Sequence, residues 1–420
     1  MSIARPAIFL ADGAAILAIL TTAVVWLLSP VEGSFLFGKW RALLVLVPTA
    51  FCGFRLVLAV LFYRKPGGKV PGTTKATLGA CVLFVLLFGA EQVLEFAGYE
   101  RHFPPILIRG ETANDSVEER AGIIADPRLL FRFKPEAEFR GRRVNRIGFL
   151  GREPDDPRTA GGRRVLCLGD SVSGQGVPPY SGYLHAQLTN EPPTQARWEA
   201  ISMAVHGYTT SQGLRLFVDE GAALQPDFVV VLYGWNDHYL ASIPDSNRMA
   251  RHVDGLQGIL YAILQRKRFG QFLLATAGPL ESLGVRENRD GLRVPPDEYR
   301  RNLASLVDEI RGTDAIPILM TSPRAATISS LLVRNKQITS VEEGIRLHDE
   351  YNATLRDVAA QTETVMIDLA QIFADDEHQA FFSRDGIHFT PDEARRRIAE
   401  HVHGAVTDVL RGRSGDPARQ

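Results

Sequence analysis

Four short blocks in the second half of the chain carry side chains that could share one reaction. The first is Gly169-Asp170-Ser171-Val172-Ser173-Gly174. A serine at a strand-to-helix turn lies where backbone N–H groups can stabilise an oxyanion. The second is His206-Gly207-Tyr208-Thr209, where a glycine lets a backbone N–H approach a ligand closely. The third, Tyr233-Gly234-Trp235-Asn236-Asp237, offers a side-chain amide that can aim at the same oxyanion. The fourth is Asp385-Gly386-Ile387-His388-Phe389-Thr390-Pro391. Its Asp and His, three apart on a loop, can present an imidazole to a serine while the carboxylate fixes the tautomer. A serine is a poor nucleophile at its free pKa and needs such a base. Each block alone is also ordinary turn or cap chemistry. Their weight comes from occurring together, in the order a serine hydrolase requires.

The elements that must hold these blocks are legible from residue 163 onward. Short apolar runs at 164–168, 198–205, 227–233, 316–320 and 364–368 read as strands, and helical patterns at 211–224, 296–312, 341–361 and 391–411 lie between or after them. Such alternation implies a parallel sheet covered on both faces. In open sheets of this kind sites form beyond the carboxyl ends of the strands. The four blocks follow the first, second, third and last of those runs.

Ser171, Gly207, Asn236 and His388, in four separate blocks, resemble the SGNH/GDSL hydrolase family over roughly residues 163–411. The resemblance implies an α/β fold, a flavodoxin-like three-layer α/β/α domain with a parallel sheet. It implies Ser171 as nucleophile, His388 as general base and Asp385 as the group orienting it. The implied oxyanion hole is the Ser171 N–H, the Gly207 N–H and the Asn236 side chain. One departure is visible: where the first block of the family often reads Gly-Asp-Ser-Leu, this chain has Val172, a conservative apolar change.

Other residues compete for a role. His206 and His238 flank the presumed site and read as ordinary loop histidines before second bases. His401 and His403 are two apart on a helix and face different ways, which makes a poor metal pair. Neither His-Glu-x-x-His nor Cys-x-x-Cys occurs, so no metal and no cofactor is expected. Cys167 sits in the strand before the nucleophile and reads as a small core residue. The stretch between Asn236 and Pro296 is longer than a crossover requires. Leu256, Ile259, Leu260, Ile263 and Leu264 form a helical stripe there, followed by Arg266-Lys267-Arg268. Residues 256–275 are either a helix packed on the sheet or a lid or interfacial helix leaning on a bilayer.

The first 99 residues differ from the rest. Apolar runs at about 7–29, 42–63 and 76–98 are each long enough to cross a hydrocarbon core of roughly 30 Å, so three transmembrane helices are expected. Arg64, Lys65, Lys69 and Lys75 crowd the second loop, whereas the first holds only Lys39 and Arg41. The positive-inside rule then puts the amino terminus in the cytoplasm and everything after residue 100 outside. Arg55 and Glu91 differ in depth by roughly 10 Å on this topology, too far for a direct pair. Residues 100–162 read as a connector with small accessory strands, since 130–133, 137–140 and 142–149 alternate apolar and polar side chains. Residues 412–420 read as a disordered tail.

With 47 basic and 48 acidic residues among 420, the net charge of −1 gives no electrostatic case for nucleic acid. The expectation is a multi-pass protein of the bacterial cytoplasmic membrane with its catalytic domain on the periplasmic or extracellular side. It would hydrolyse an oxygen ester through an acyl-enzyme, on an acylated envelope glycan or lipid. Two rivals share the same residues: an acyltransferase using an acceptor hydroxyl, and a non-enzymatic envelope glycan-binding or assembly protein. Protein partners are not indicated.

Overall fold

The computed structural model describes residues 72–97, 122–126, 128–155, 158–241, 244–253, 268–277 and 291–414. The chain divides into two compact units, one of Met1–His102 with Asp254–Leu280, the other of Phe103–Val253 with Glu281–Gln420.

The larger unit is built on five parallel strands: β5 (Arg163–Gly169), β6 (Trp198–Ala204), β7 (Phe228–Leu232), β8 (Ile316–Met320) and β9 (Val365–Ile367). Their order is β6-β5-β7-β8-β9, the 2-1-3-4-5 arrangement of a flavodoxin-like doubly wound sheet. Every residue of β7 is buried, because a central parallel strand is covered on both faces. Side chains alternate between two cores with the period of the strand. Leu166, Leu168, Val229 and Val231 face one core, and Val165, Cys167, Val230 and Leu232 face the other.

Helices complete both layers. Pro296–Gly312 starts with proline in its first turn followed by Asp297 and Glu298, and buries Tyr299, Leu303, Leu306, Val307 and Ile310 along one stripe. Val341–Gln361 begins at Ser340, whose Oγ accepts from the Glu343 N–H at 3.1 Å. On the opposite face Tyr180–Asn190 and Asp392–Ser414 pack Leu184, Leu188, Ile398 and Val402. The last helix runs to Ser414, past the boundary expected at 411, with Arg411 favourably placed near its carboxyl end.

The expected accessory strands are present in two antiparallel pairs. Strand β1 (Ile123–Asp126) pairs with β2 (Leu130–Phe133), and β3 (Glu138–Phe139) pairs with β4 (Arg142–Arg143). Phe131, Phe133, Phe139 and Phe149 join the core on one side of the large sheet. Arg132 makes a forked pair with Glu220 at 2.8 and 3.0 Å.

In the smaller unit the described residues form two helices, Gly72–Phe96 and Arg268–Ala277. The buried Glu91 carboxylate accepts from the Arg268 N–H at 3.0 Å and the Phe269 N–H at 2.7 Å. It thus caps the first turn of the second helix, satisfying two donors that have no intrahelical partner. Spans expected at 7–29 and 42–63, Arg55 and the stripe at 256–264 lie outside the described residues. The span expected at 76–98 is corrected in one respect. Among the described residues no helix is long and apolar enough to cross a membrane. The physical reason is visible in Gly72–Phe96, whose apolar run ends at Ala90 before Glu91 and Glu95. From Ala76 that run covers about 22 Å at 1.5 Å per residue.

Candidate active site

The parallel register aligns Gly169 of β5 with Ala204 of β6 and Leu232 of β7. The chain segments just beyond them, carrying Ser171, Gly207 and Asn236, therefore leave one edge of the sheet together. Ser171 opens a single-turn helix, Ser171–Gly174, capped by Asp170, whose Oδ1 accepts from the Val172 N–H at 2.8 Å. The turn closes with the Gly174 N–H on the Asp170 carbonyl at 3.0 Å.

His388 does not follow β9 directly. Two short helices, Leu369–Ile372 and Asp376–Gln379, intervene. Its loop is closed by a bridge between Phe382 and Phe389 and by the Ser383 N–H on the His388 carbonyl at 2.6 Å. The result is an unbroken chain of contacts. Ser171 Oγ lies 2.8 Å from His388 Nε2, and His388 Nδ1 lies 2.6 Å from Asp385 Oδ2. Asp385 Oδ1 accepts from Ser383 Oγ at 2.7 Å, the Ile387 N–H at 2.8 Å and the His388 N–H at 2.9 Å. Burial works against charge on Asp385, but His388 and these donors outweigh it and hold the carboxyl well below the usual carboxylate range. An ionised Asp385 selects the imidazole tautomer with its proton on Nδ1 and leaves Nε2 to accept from serine.

Two backbone donors of these blocks remain open. Among the described residues neither the Ser171 N–H nor the Gly207 N–H is paired. Gly207 has φ +82°, a conformation that glycine adopts without steric cost. Asn236 is differently engaged from the expectation. Its Nδ2 donates to Asp170 Oδ2 at 3.0 Å and to the Tyr208 carbonyl at 3.1 Å, so both amide protons have internal partners. The amide thereby ties the first, second and third blocks to one another.

Some residues around this centre carry no signal in the sequence. Arg293 Nη1 donates to the Gly207 carbonyl at 2.8 Å, while its Nε and Nη2 clasp Asp245 Oδ2 at 3.1 and 2.7 Å. This buried pair pins the Gly207 turn from the far end of the long insertion. Gln175 donates to the Val172 carbonyl at 3.0 Å and accepts from the Phe389 N–H at 2.8 Å, joining the nucleophile turn to the histidine loop. Asp170 could have been found from its place in the Gly-Asp-Ser sequence. Arg293 and Gln175 lie in stretches with no recognisable pattern.

His206, His238 and His403 have partners other than the serine. His206 is half-buried against Phe133 and Phe139 with its Nε2 3.2 Å from Arg142 Nη2. Burial, then the charges of Arg142, Arg140 and His388, push its pKa well below the ordinary value. His238 is buried against His348, its Nε2 3.1 Å from His348 Nδ1, and Trp235 stacks on His348 at 3.9 Å. His403 is bonded to the Glu191 carbonyl at 2.8 Å. Cys167 is buried, and burial pushes its thiol up to about 12, as suits a small core residue.

Among solved structures, the chain is similar to a lipase/acylhydrolase from Enterococcus faecalis at 18% identity and a TM-score of 0.37, covering 60% of this chain and 96% of that one. It is similar to LAE5, an α/β hydrolase enzyme from the metagenome of Lake Arreo, at 20% identity and 0.38, covering 59% and 96%. Axe2, an acetylxylan esterase from Geobacillus stearothermophilus, aligns at 17% identity and 0.37, covering 59% and 96%. No curated protein matches the chain. Residues 167–396 match the GDSL-like lipase/acylhydrolase family. That match takes in more than half of the chain and all four blocks, and the chain belongs to this family of ester-hydrolysing enzymes.

Proposed function

We propose that the protein is a membrane-anchored serine esterase that removes an acyl group from an oxygen ester of the cell envelope, by way of an acyl-enzyme on Ser171. The observation that carries this reading is the Ser171–His388–Asp385 chain of hydrogen bonds at 2.8 and 2.6 Å. Ser171 Oγ attacks the ester carbonyl carbon and its proton passes to His388 Nε2. The Ser171 and Gly207 N–H groups receive the oxyanion as it forms. Collapse expels the alcohol, which takes the proton from His388. A water molecule then repeats the sequence on the acyl-enzyme, releasing the acid and restoring the serine. Asn236 contributes to the oxyanion by exchanging one internal acceptor for the developing charge, and otherwise holds the turn.

Membrane attachment is supported by the apolar runs at 7–29 and 42–63. On the Gly72–Phe96 helix the Glu91 carboxylate is met by two backbone N–H groups, which lowers the cost of placing it beside lipid. Val82, Leu83, Leu86 and Val93 are exposed at 46% to 66% on that helix, and Phe272 and Leu273 are exposed on its neighbour. These side chains suit lipid. On the outer side of the membrane, acylated glycans and lipids of the envelope are the esters within reach of the catalytic unit.

The test is labelling of purified full-length protein by a fluorophosphonate serine probe. Wild type is expected to label, Ser171→Ala and His388→Ala to be silent, and Asn236→Ala to react about 10²-fold more slowly. A folded wild type that ignores the probe would overturn the esterase reading.

A further inference from the structure

We propose that Arg142, on strand β4 of the accessory segment, is a positioning residue for the nucleophile turn, so that residues outside the region matching the family complete the catalytic site. The proposal rests on the serine-esterase reading and deepens it.

A one-turn helix leaves its carboxyl-terminal carbonyls without intrahelical donors, and buried carbonyls must find partners elsewhere. Three carbonyls in and just after the Ser171–Gly174 turn have side-chain partners. The Val172 carbonyl is met by Gln175 at 3.0 Å. The Gly174 and Gly176 carbonyls are both met by Arg142 Nη1, at 2.7 and 2.9 Å. The other arm of the same guanidinium, Nη2, lies 3.2 Å from His206 Nε2. One side chain thus spans the turn that presents Ser171 and the turn that presents Gly207. These are the two segments that carry the open N–H groups of Ser171 and Gly207.

The guanidinium has the right chemistry for this task. Its planar fork fixes two directions at once, where an ammonium would supply only a point charge. Its positive charge also lies at the carboxyl end of the turn, which it stabilises. Arg142 is half-buried, and among the described residues no carboxylate pairs with it. Burial, with Arg140 and Arg395 nearby, brings its pKa down to about 10, so it stays protonated at neutral pH. A lone half-buried cation is costly, and here it is satisfied by carbonyls of the catalytic turn.

The accessory strands seat Arg142 firmly. Phe139, three residues before it, packs edge-on to His206 at 5.3 Å, and Phe133 does so at 5.8 Å. Tyr208 donates to the Phe131 carbonyl at 2.5 Å, and Gln212 to the Leu129 carbonyl at 2.7 Å. The second block is therefore lined on one side by β2, β3 and β4.

The experiment compares full-length wild type, Arg142→Gln and Arg142→Lys. One readout is turnover of 4-nitrophenyl acetate with the rate of fluorophosphonate labelling; the other is hydrogen exchange across residues 171–177 and 205–209. Arg142→Gln is expected to lower kcat and the labelling rate at least about tenfold, with KM changed less than about threefold. Arg142→Lys should fall between, since it restores charge without the fork. Exchange in Arg142→Gln should rise in those two segments and not in the Pro296–Gly312 helix. Rates within about twofold of wild type, or unchanged exchange in both segments, would overturn the proposal. Should Arg142→Gln not fold, Arg142→Lys decides: full activity overturns the forked clamp, and a several-fold loss of kcat supports it. A wild type silent to probe and ester sinks the esterase reading instead, and the clamp then stands or falls on the exchange data.

Discussion

At the scale of the residue, the site separates its carboxylates by environment. Asp385 faces His388, Ser383 and two backbone N–H groups, and its side chain is 35% exposed. It stays ionised well into acid. Asp237 is fully buried beside Asn236. Its Oδ1 accepts from the Thr210 N–H at 2.9 Å and Oγ1 at 2.5 Å, while Oδ2 has no partner among the described residues. Burial pushes this carboxyl up to about 7, against the pull of Thr210 and Arg293. The sign of the linkage follows. Between about pH 4 and about pH 7 the folded protein keeps a proton that the unfolded chain has lost, so this group's contribution to stability falls as pH rises through that window. Asp237→Asn removes the ionisation and keeps the acceptor for Thr210. The fall in Tm from about pH 5 to about pH 8 is expected to be smaller in the variant by roughly 5 °C. Parallel melting curves in the two proteins would refute the assignment.

At the scale of the element, catalysis depends on a loop that no regular structure supports directly. The Asp385–His388 segment turns at Gly386, with φ +76°. A Cβ there would lie 2.4 Å from the Thr327 carbonyl oxygen and 2.9 Å from the Ile328 Cα. Both are backbone atoms and cannot swing aside. Gly386→Ala should therefore shift the loop instead of unfolding the unit, since local strain of this kind costs about 1–3 kcal/mol. A displacement near 1 Å at His388 costs on the order of 10²-fold, so kcat should drop by that factor with KM little changed. Wild-type kcat in the variant would show that the turn tolerates a side chain. The contrast with the strands is instructive. β5, β7 and β8 were legible to within a residue or two because their runs are short, mostly apolar and rich in valine, leucine and isoleucine, and β6 because Glu199 and Ser202 leave its run largely apolar. Tyr180–Asn190 has a weak apolar pattern and no side-chain cap, and it was not legible.

At the scale of the whole molecule, the inserted segment and the amino-terminal region belong to one compact unit although they lie far apart in sequence. Within that unit the first turn of Arg268–Ala277 is held by Glu91. The proposed placement has the catalytic unit facing outward. Alkaline phosphatase fused after Gln420 should then be active in intact cells, and a green fluorescent protein fused there should be dark. The opposite pair of results would place the unit with the basic loop at 64–75 and remove envelope esters from consideration.

The sequence by itself determined the sheet, its covering helices and the three residues of the hydrogen-bonded chain. Hydrophobic periodicity is a local property, and Ser171, Asp385 and His388 stand in short blocks whose chemistry is complete in a few residues. Only the tertiary structure decided what holds those blocks in register. Arg142, Gln175, Asp245 and Arg293 act on carbonyls and turns that are 32 to 214 residues away along the chain, apart from the bond within the turn from Gln175 to Val172 and the ion pair of Arg293 with Asp245. An arginine that satisfies a distant carbonyl leaves no periodic trace, since the partner is any peptide group and the spacing is set by the fold. For the same reason the engagement of Asn236 with Asp170 and Tyr208 became visible only once three strand ends had been brought to one edge.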